Sequence, residues 1–437
     1  MRVASLIAGA GGMYCGSCLR DNRLASVLLR QGRDVVLLPL YTPIRTDEHD
    51  VSAKRVYYGG LSVYLQQRSA LFRRTPRLID RLWDAPALLR GLGRFAARTK
   101  SSELGAMTVS ILWAERGAQV KELHKLVDGL GAVEPSLIQV PNLMFAGVGR
   151  YLREALRVPV LCSLAGEDIF LDSLPEPHRS EAFQLIREAA VAVDGFIAPT
   201  RYYAAHAAEH FGLDGERVHY VPMGVAVDEA LGGAAAAEPF TIGYLARLCP
   251  EKGLGQLCDA FAALRAAGRE CRLRIAGYLG EGDRPFWRHT RRMLEGRGLA
   301  GAFEYLGEVD LEGKCRFLRS LHVLSVPATY RESKGLYLLE AMACGVPVVQ
   351  PVHGSFPELI EATGGGLLYE PAKPAALVQA LGRMMDDPEL RANLGAAGRA
   401  GVLAGFTEEI MADRTWALYR RFRSSGAGDD GRASVAC

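Results

Sequence analysis

The chain has 437 residues, enough for two domains that each bury a core of their own. Lys and Arg number 52 against 49 Asp and Glu, a net charge of +3, so bulk charge does not drive it onto nucleic acid. Hydrophobic content of 49 % with 48 glycines fits an α/β enzyme, nine cysteines set mostly singly among apolar neighbours fit a reducing cytoplasmic setting, and no apolar run approaches a membrane span.

Residues 2–8 read as a buried strand, Gly9-Ala10-Gly11-Gly12 as a tight loop, Ser17 to Gln31 as a helix and 34–40 as a second strand, a β-α-β opening. The apolar start is short and runs at once into glycines, as a strand and loop do and a signal peptide does not. Gly9-x-Gly11 is not completed as a dinucleotide fingerprint, because position 14 is Tyr, and no P-loop pattern occurs. Cys15-Gly16-Ser17-Cys18 at the helix start has three readings. It is a thioredoxin-like thiol pair, half of a zinc site short of two ligands, or small residues packed close to a ligand.

From Tyr57 to Lys100 the sequence is rich in arginine, with Arg68, Arg73, Arg74, Arg77, Arg90 and Arg94 separated by apolar residues at helical spacing. Such a segment, over 68–98, is either a contact for an anionic membrane surface or a solvated helical face over the core. Strands follow at 138–140 and 158–163, the second leading into Leu164-Ala165-Gly166-Glu167-Asp168. Glu167 and Asp168 there orient a substrate hydroxyl or cap the next turn. Another strand near Phe196 and the stretch Val218 to Val225 complete a first domain over 1–231, and Gly232-Gly233 with four alanines forms a linker.

A second domain over 238–405 opens with a strand at 240–245 followed by Arg247 and Lys252, two cations between a strand end and the helix beginning near Gly253. Further strands at 273–276, 304–306, 322–326, 346–350 and 367–369 alternate with helices, so the sheet is mostly parallel. Between the fourth and fifth of the strands in this domain lies Arg331-Glu332-Ser333-Lys334-Gly335-Leu336, then an apolar run through Glu340 closed by Cys344-Gly345. Gly335 opens a short helix whose first turn leaves backbone N–H groups unpaired and carries the positive end of the dipole, a setting for phosphate. Glu332 precedes that turn and Glu340 lies within the helix. An amphipathic helix over 406–423 and a polar, disordered tail over 424–437 end the chain.

The two glutamates eight residues apart, the Gly between them and Ala-Met-Ala-x-Gly-Val-Pro-Val after them resemble the E-x7-E motif of retaining glycosyltransferases of family 4. Ala246-Arg247-Leu248 through Lys252-Gly253 resembles the Gly-Arg-Leu-x-x-x-Lys-Gly segment of that family, and Val221-Pro222-Met223-Gly224-Val225 resembles the end of its first domain, with Met223 in place of Asn. The resemblance implies a GT-B fold: two Rossmann-like domains with mostly parallel sheets facing across a cleft, with the last helix crossing back to the first domain. It implies transfer of a sugar, with retention and without a metal or cofactor, from a nucleotide-diphospho-sugar, a UDP-sugar ahead of GDP- or ADP-sugars, to an unidentified acceptor. Arg247 and Lys252 would hold the diphosphate, Glu332 the transferred sugar and Glu340 the ribose. The amides at Gly335 and Leu336, and Gly12 in the first loop, would complete the donor site. The family's acceptor-side His-Gly-x-Asp is Ala165-Gly166-Glu167-Asp168 here, so the imidazole is missing while Gly166 and Asp168 match. Lys334 stands where the family has an aromatic residue. Two other readings are kept: a sugar-nucleotide epimerase on the same plan, and a redox or binding protein built on Cys15 and Cys18.

Overall fold

In the computed structural model, residues 1–9, 16–46, 48–69, 72, 101–227, 238–373 and 375–426 are described. Gly12, Cys15 and nearly all of the arginine-rich segment over 68–98 lie outside them. The chain divides into two compact units, Met1–Pro222 together with the chain from Glu408 onward, and Met223–Thr407. The break falls at Met223 because Met223 and Val225 are buried in the second unit's core, where Val225 bridges to Thr407.

In the first unit, β1 (Val3–Ile7), α1 (Gly16–Arg30), β2 (Val35–Pro39), α2 (Gly60–Arg68), α3 (Ser101–Leu112), α4 (Val120–Val133) and β3 (Leu137–Val140) follow in order. Next come α5 (Ala146–Leu156), β4 (Val160–Ser163), α6 (Asp168–Asp172), α7 (His178–Ala190), β5 (Gly195–Ala198), α8 (Arg201–Phe211) and β6 (Val218–Tyr220). The strands form one parallel sheet in the order β2-β1-β3-β4-β5-β6. β1 to β5 are almost continuously buried, as strands covered by helices on both faces must be. Capping residues fix where helices begin: Thr200 accepts from the Tyr203 amide at 3.1 Å to start α8, and Gly212 in the left-handed region ends it.

The second unit repeats the plan with β7 (Phe240–Leu245), α9 (Leu254–Ala266), β8 (Cys271–Ala276), α10 (Arg284–Gly296), β9 (Phe303–Tyr305), α11 (Leu311–Arg319) and β10 (Val323–Leu324). It continues with α12 (Leu336–Ala343), β11 (Val348–Pro351), α13 (Phe356–Thr363), β12 (Gly366–Tyr369), α14 (Ala376–Asp386) and α15 (Pro388–Gly405). Its sheet is again wholly parallel, ordered β12-β11-β10-β7-β8-β9. The first strand is therefore central: the chain runs outward through β8 and β9, then returns to the other side of β7 through β10. That reversal makes a topological switch point between β7 and β10, where crossover helices diverge and leave a crevice at the carboxyl ends.

The closing helix α16 (Glu408–Gly426) belongs to the first unit. Met411 and Tyr419 are buried with Val3 and Leu137, and Arg30 and Arg33 of that unit pair with Glu408 and Asp413. Among the described residues no helix is long and apolar enough to cross a membrane.

Candidate active site

At the switch point of the second unit, three strand ends bring three loops together. The loop after β7 carries Arg247 to Gly253, the loop after β10 carries Ser325 to Gly335, and the loop after β11 carries His353 to Ser355. Main-chain bonds tie them: the Thr329 amide donates to Glu251 O at 2.9 Å and the Ser355 amide to Glu332 O at 2.8 Å. Gly253 makes the first approach feasible, since its φ is +73° and a Cβ there would sit 1.8 Å from the Pro327 carbonyl oxygen.

The approach joins two residues eighty positions apart. Lys252 Nζ lies 2.5 Å from Glu332 Oε2, and the pair is largely out of solvent, with side-chain exposures of 19 % and 7 %. The Tyr330 and Tyr337 hydroxyls donate to the same oxygen at 3.0 Å and 3.3 Å, and the Lys334 amide donates to Oε1 at 3.3 Å. Both rings also face the ammonium, 5.0 Å and 5.2 Å from their centroids. Burial by itself would push the Glu332 carboxyl up, but Lys252 beside it outweighs that and takes it down to about 2. Burial, and then the charge on Glu332, push both phenols up, so at neutral pH they are donors. The result is a carboxylate ionised at neutral pH and locked in one orientation against the Lys252 ammonium.

Immediately beyond, Gly335 turns the chain into α12. Its φ is +65° and a Cβ would meet Leu359 Cδ1 at 2.6 Å, so the left-handed turn and the packing both require glycine. Leu336 opens the helix, with no side-chain cap on the first-turn amides among the described residues. Ser355, fully buried near Gly335, has an Oγ with no hydrogen-bond partner among the described residues. Uncapped amides beside an orphaned hydroxyl suit an anionic oxygen. Glu340, half-buried on α12, is held by Lys314 of α11 through an Nζ–Oε1 contact of 2.7 Å. Arg247 is looser: its side chain is 55 % exposed, and Glu251 and Asp283 each stand 3.9 Å away.

The site residues expected from sequence thus fall into groups. Lys252, Glu332, Gly335 and Leu336 converge, Arg247 lies at the same strand end, and Glu340 sits on the same helix with its own lysine. Tyr330, Tyr337 and Lys314 were not anticipated. The tyrosines lie two residues before and five after Glu332, a spacing that shows a contact only once the loop's path is known, and Lys314 carries no signal beyond being a helical lysine. In the first unit Glu167 is committed to the turn: its two oxygens accept from the Leu143 amide at 2.9 Å and the Ala165 amide at 2.6 Å. Asp168 accepts from the Tyr203 hydroxyl at 2.7 Å and faces His206 Nε2 at 3.3 Å. An imidazole therefore stands beside Asp168 although position 165 lacks one. Cys18 is buried, and no disulfide joins any two of the seven described cysteines.

Two family profiles match the chain: Glycosyltransferase Family 4 over residues 110–229 and Glycosyl transferases group 1 over 233–401. A GDP-mannose-dependent monoacylated alpha-(1-6)-phosphatidylinositol monomannoside mannosyltransferase of Corynebacterium glutamicum is 28 % identical over 292 residues, covering 63 % of this chain and 72 % of that protein. A D-inositol 3-phosphate glycosyltransferase of Streptomyces scabiei is 31 % identical over 280 residues, covering 58 % and 61 %. Among solved structures, sucrose-phosphate synthase from Thermosynechococcus elongatus superposes with a TM-score of 0.70 at 19 % identity, over 97 % of this chain and all of that one. The Anabaena protein HepE in complex with UDP gives 0.64 at 17 %, over 96 % of this chain and 100 % of that chain. Two parallel six-stranded units, the motif residues gathered at the second switch point, and both profiles lead to one assignment: the chain belongs to the family 4 glycosyltransferases of the GT-B fold.

Proposed function

We propose that this glycosyltransferase takes its sugar from a nucleotide-diphospho-sugar held at the second unit's switch point, and transfers it with retention and without a metal ion. The observation that carries the reading is the Lys252–Glu332 pair beside the uncapped start of α12. Breaking the glycosidic bond builds negative charge on the departing diphosphate, and a cation already oriented beside that position stabilises the transition state at no further cost of reorganisation. Lys252 is such a cation, fixed by Glu332 and the two tyrosine rings. Arg247, exposed and loosely paired, reaches the other phosphate, and the amides at Gly335 and Leu336 with Ser355 Oγ receive the remaining oxygens. Glu332 Oε1, with one long contact from an amide, has capacity for a hydroxyl of the transferred sugar. Glu340 takes the ribose hydroxyls, oriented by Lys314. Retention is carried over from the motif resemblance.

The acceptor side is assigned to Asp168 with His206, in place of the Glu167 and Asp168 pair. Both the sequence reading, which put UDP first, and the GDP-mannose in the name of the Corynebacterium relative supply donor candidates. Cysteines set singly among apolar neighbours, with no disulfide joining two described ones, support a reducing, cytoplasmic location. Thermal unfolding in a panel of UDP-, GDP- and ADP-sugars tests the proposal. The cognate donor at a hundred times its Kd stabilises by about 2.7 kcal/mol, and the gain is lost in Gly335→Val. Protection by no member of the panel, or protection unaffected by Gly335→Val, refutes it.

A further inference from the structure

The first unit carries a second concavity whose residues take no part in the chemistry above. A groove of about 720 Å³ runs along β6, the edge strand of its sheet, with α8 on one side and α16 on the other. Positions 201, 204, 205 and 208 of α8 and 414, 417, 418 and 421 of α16 line it, and each set repeats at the three- and four-residue spacing of a single helical face. Ala204, Ala205 and Ala208 on one wall and Ala417 on the other are small, which keeps the space open.

Cations occupy the ends of both faces: Arg201 in the first turn of α8, Arg414 and Arg421 two turns apart on α16. His219 joins them from the strand, and no carboxylate is among the described residues that line the groove. The guanidinium of Arg201 stacks 4.7 Å over the Tyr220 ring, which sets its position at the rim. An ordinary solvated helix face mixes acids with bases, and α16 has acids. Glu408 and Asp413, however, are engaged by Arg30 and Arg33, and no acid among the described residues of the helix lines the groove. His219 is held below its ordinary pKa, first by burial and then by Arg421, in accord with a positive local potential. Seven helical residues separate Arg414 from Arg421, about 10 Å along the axis. Two cations spread that far along one face, with Arg201 opposite them on α8, suit more than one anionic group on the same molecule.

We propose that this groove is a binding site for a ligand bearing two or more phosphate groups, gripped by Arg414 and Arg421 from α16 and by Arg201 from α8. The ligand is a soluble polyphosphorylated molecule or a phosphorylated lipid headgroup, which present the same chemistry.

The test titrates inorganic tripolyphosphate into the full chain by calorimetry and measures sedimentation with vesicles of phosphatidylcholine and a phosphatidylinositol monophosphate. Arg414→Ala with Arg421→Ala is the probe variant. Both side chains are exposed on a helix, so alanine preserves the fold, which circular dichroism verifies. Tripolyphosphate affinity should fall at least about tenfold in that variant. It should persist in Arg247→Ala, which weakens the proposed donor site alone, so the groove and the donor reading succeed or fail separately. Tripolyphosphate binding lost in the double variant without vesicle capture assigns a soluble ligand; vesicle capture lost in the double variant assigns a lipid headgroup. The proposal is overturned if the parent binds neither probe, if the double variant matches the parent, or if Arg420→Ala with Arg423→Ala, on the same helix but off the groove, produces the same loss. Binding that disappears in Arg247→Ala and survives in the double variant also overturns it.

Discussion

Replacing Lys252 by Met keeps most of the side-chain volume and removes the ammonium paired with Glu332. In the parent the Glu332 carboxyl sits at about 2 against an ordinary value of 4.5. A folded-state pKa below the unfolded one stabilises the protein above the unfolded pKa and ceases to do so as pH falls from about 4.5 through about 2. At 1.36 kcal/mol per unit the contribution at pH 7 is about 3 kcal/mol, which agrees with the 3–5 kcal/mol typical for breaking a buried pair from one side. With the ammonium gone, burial pushes the carboxyl up, and the sign reverses: the variant loses stability as pH rises through the carboxylate range. The difference between parent and Lys252→Met is therefore large at pH 7 and shrinks toward pH 3. Adding Glu332→Gln should recover part of the loss at pH 7, because a neutral amide needs no counter-ion. Denaturant unfolding followed by tryptophan fluorescence at the two pH values reads this, provided the unfolding of the second unit is resolved. With donor supplied, kcat should fall about a hundredfold, since the charge Lys252 meets grows only as the bond breaks. A deficit below about 0.5 kcal/mol at pH 7, or one equal at both pH values, would refute the argument, because a packing defect has no such pH dependence.

Glu340→Ala and Lys314→Ala should each raise the donor KM about tenfold with kcat largely kept, through loss of binding that is the same in ground and transition states, and Lys314→Arg should restore much of it. Steady-state kinetics with the cognate donor decide. Gly335→Ala should cost about 1–3 kcal/mol from a left-handed φ alone, before the contact with Leu359, and should reduce the thermal protection given by the cognate nucleotide-sugar. Cys15→Ser with Cys18→Ser should leave turnover within about tenfold, or 1.4 kcal/mol; loss of activity on oxidation that the double variant escapes would instead make the pair a redox control.

Both sheets were legible because a strand covered by helices on each face is mostly apolar, as the short runs Val3–Ile7 and Phe240–Leu245 are. The start of α12 was legible for a similar local reason, a glycine before an apolar run. The partnership of Lys252 with Glu332 was not, since it depends on β7 and β10 being neighbours, a fact of strand order that spacing does not express. Lys314 was hidden likewise, on a helix preceding the motif. Glu167 shows the opposite limit: its sequence context allowed an acceptor contact or a cap on the next turn, and it does not cap that turn, because its two oxygens accept from the Leu143 and Ala165 amides and tie the preceding loop together. The orphaned hydroxyl of Ser355 follows from the third loop's approach to Gly335, again a consequence of tertiary packing.

The central claim is transfer with retention from a nucleotide-diphospho-sugar, and proton NMR of the anomeric signals during turnover of the cognate donor, with water serving as acceptor, tests it most directly. An α-linked donor should release free nucleoside diphosphate and, first, the α-anomer of the same sugar, with the β-anomer appearing only at the rate of mutarotation. Initial release of the β-anomer would contradict retention, and release of the C2 epimer of the sugar would replace transfer by epimerisation.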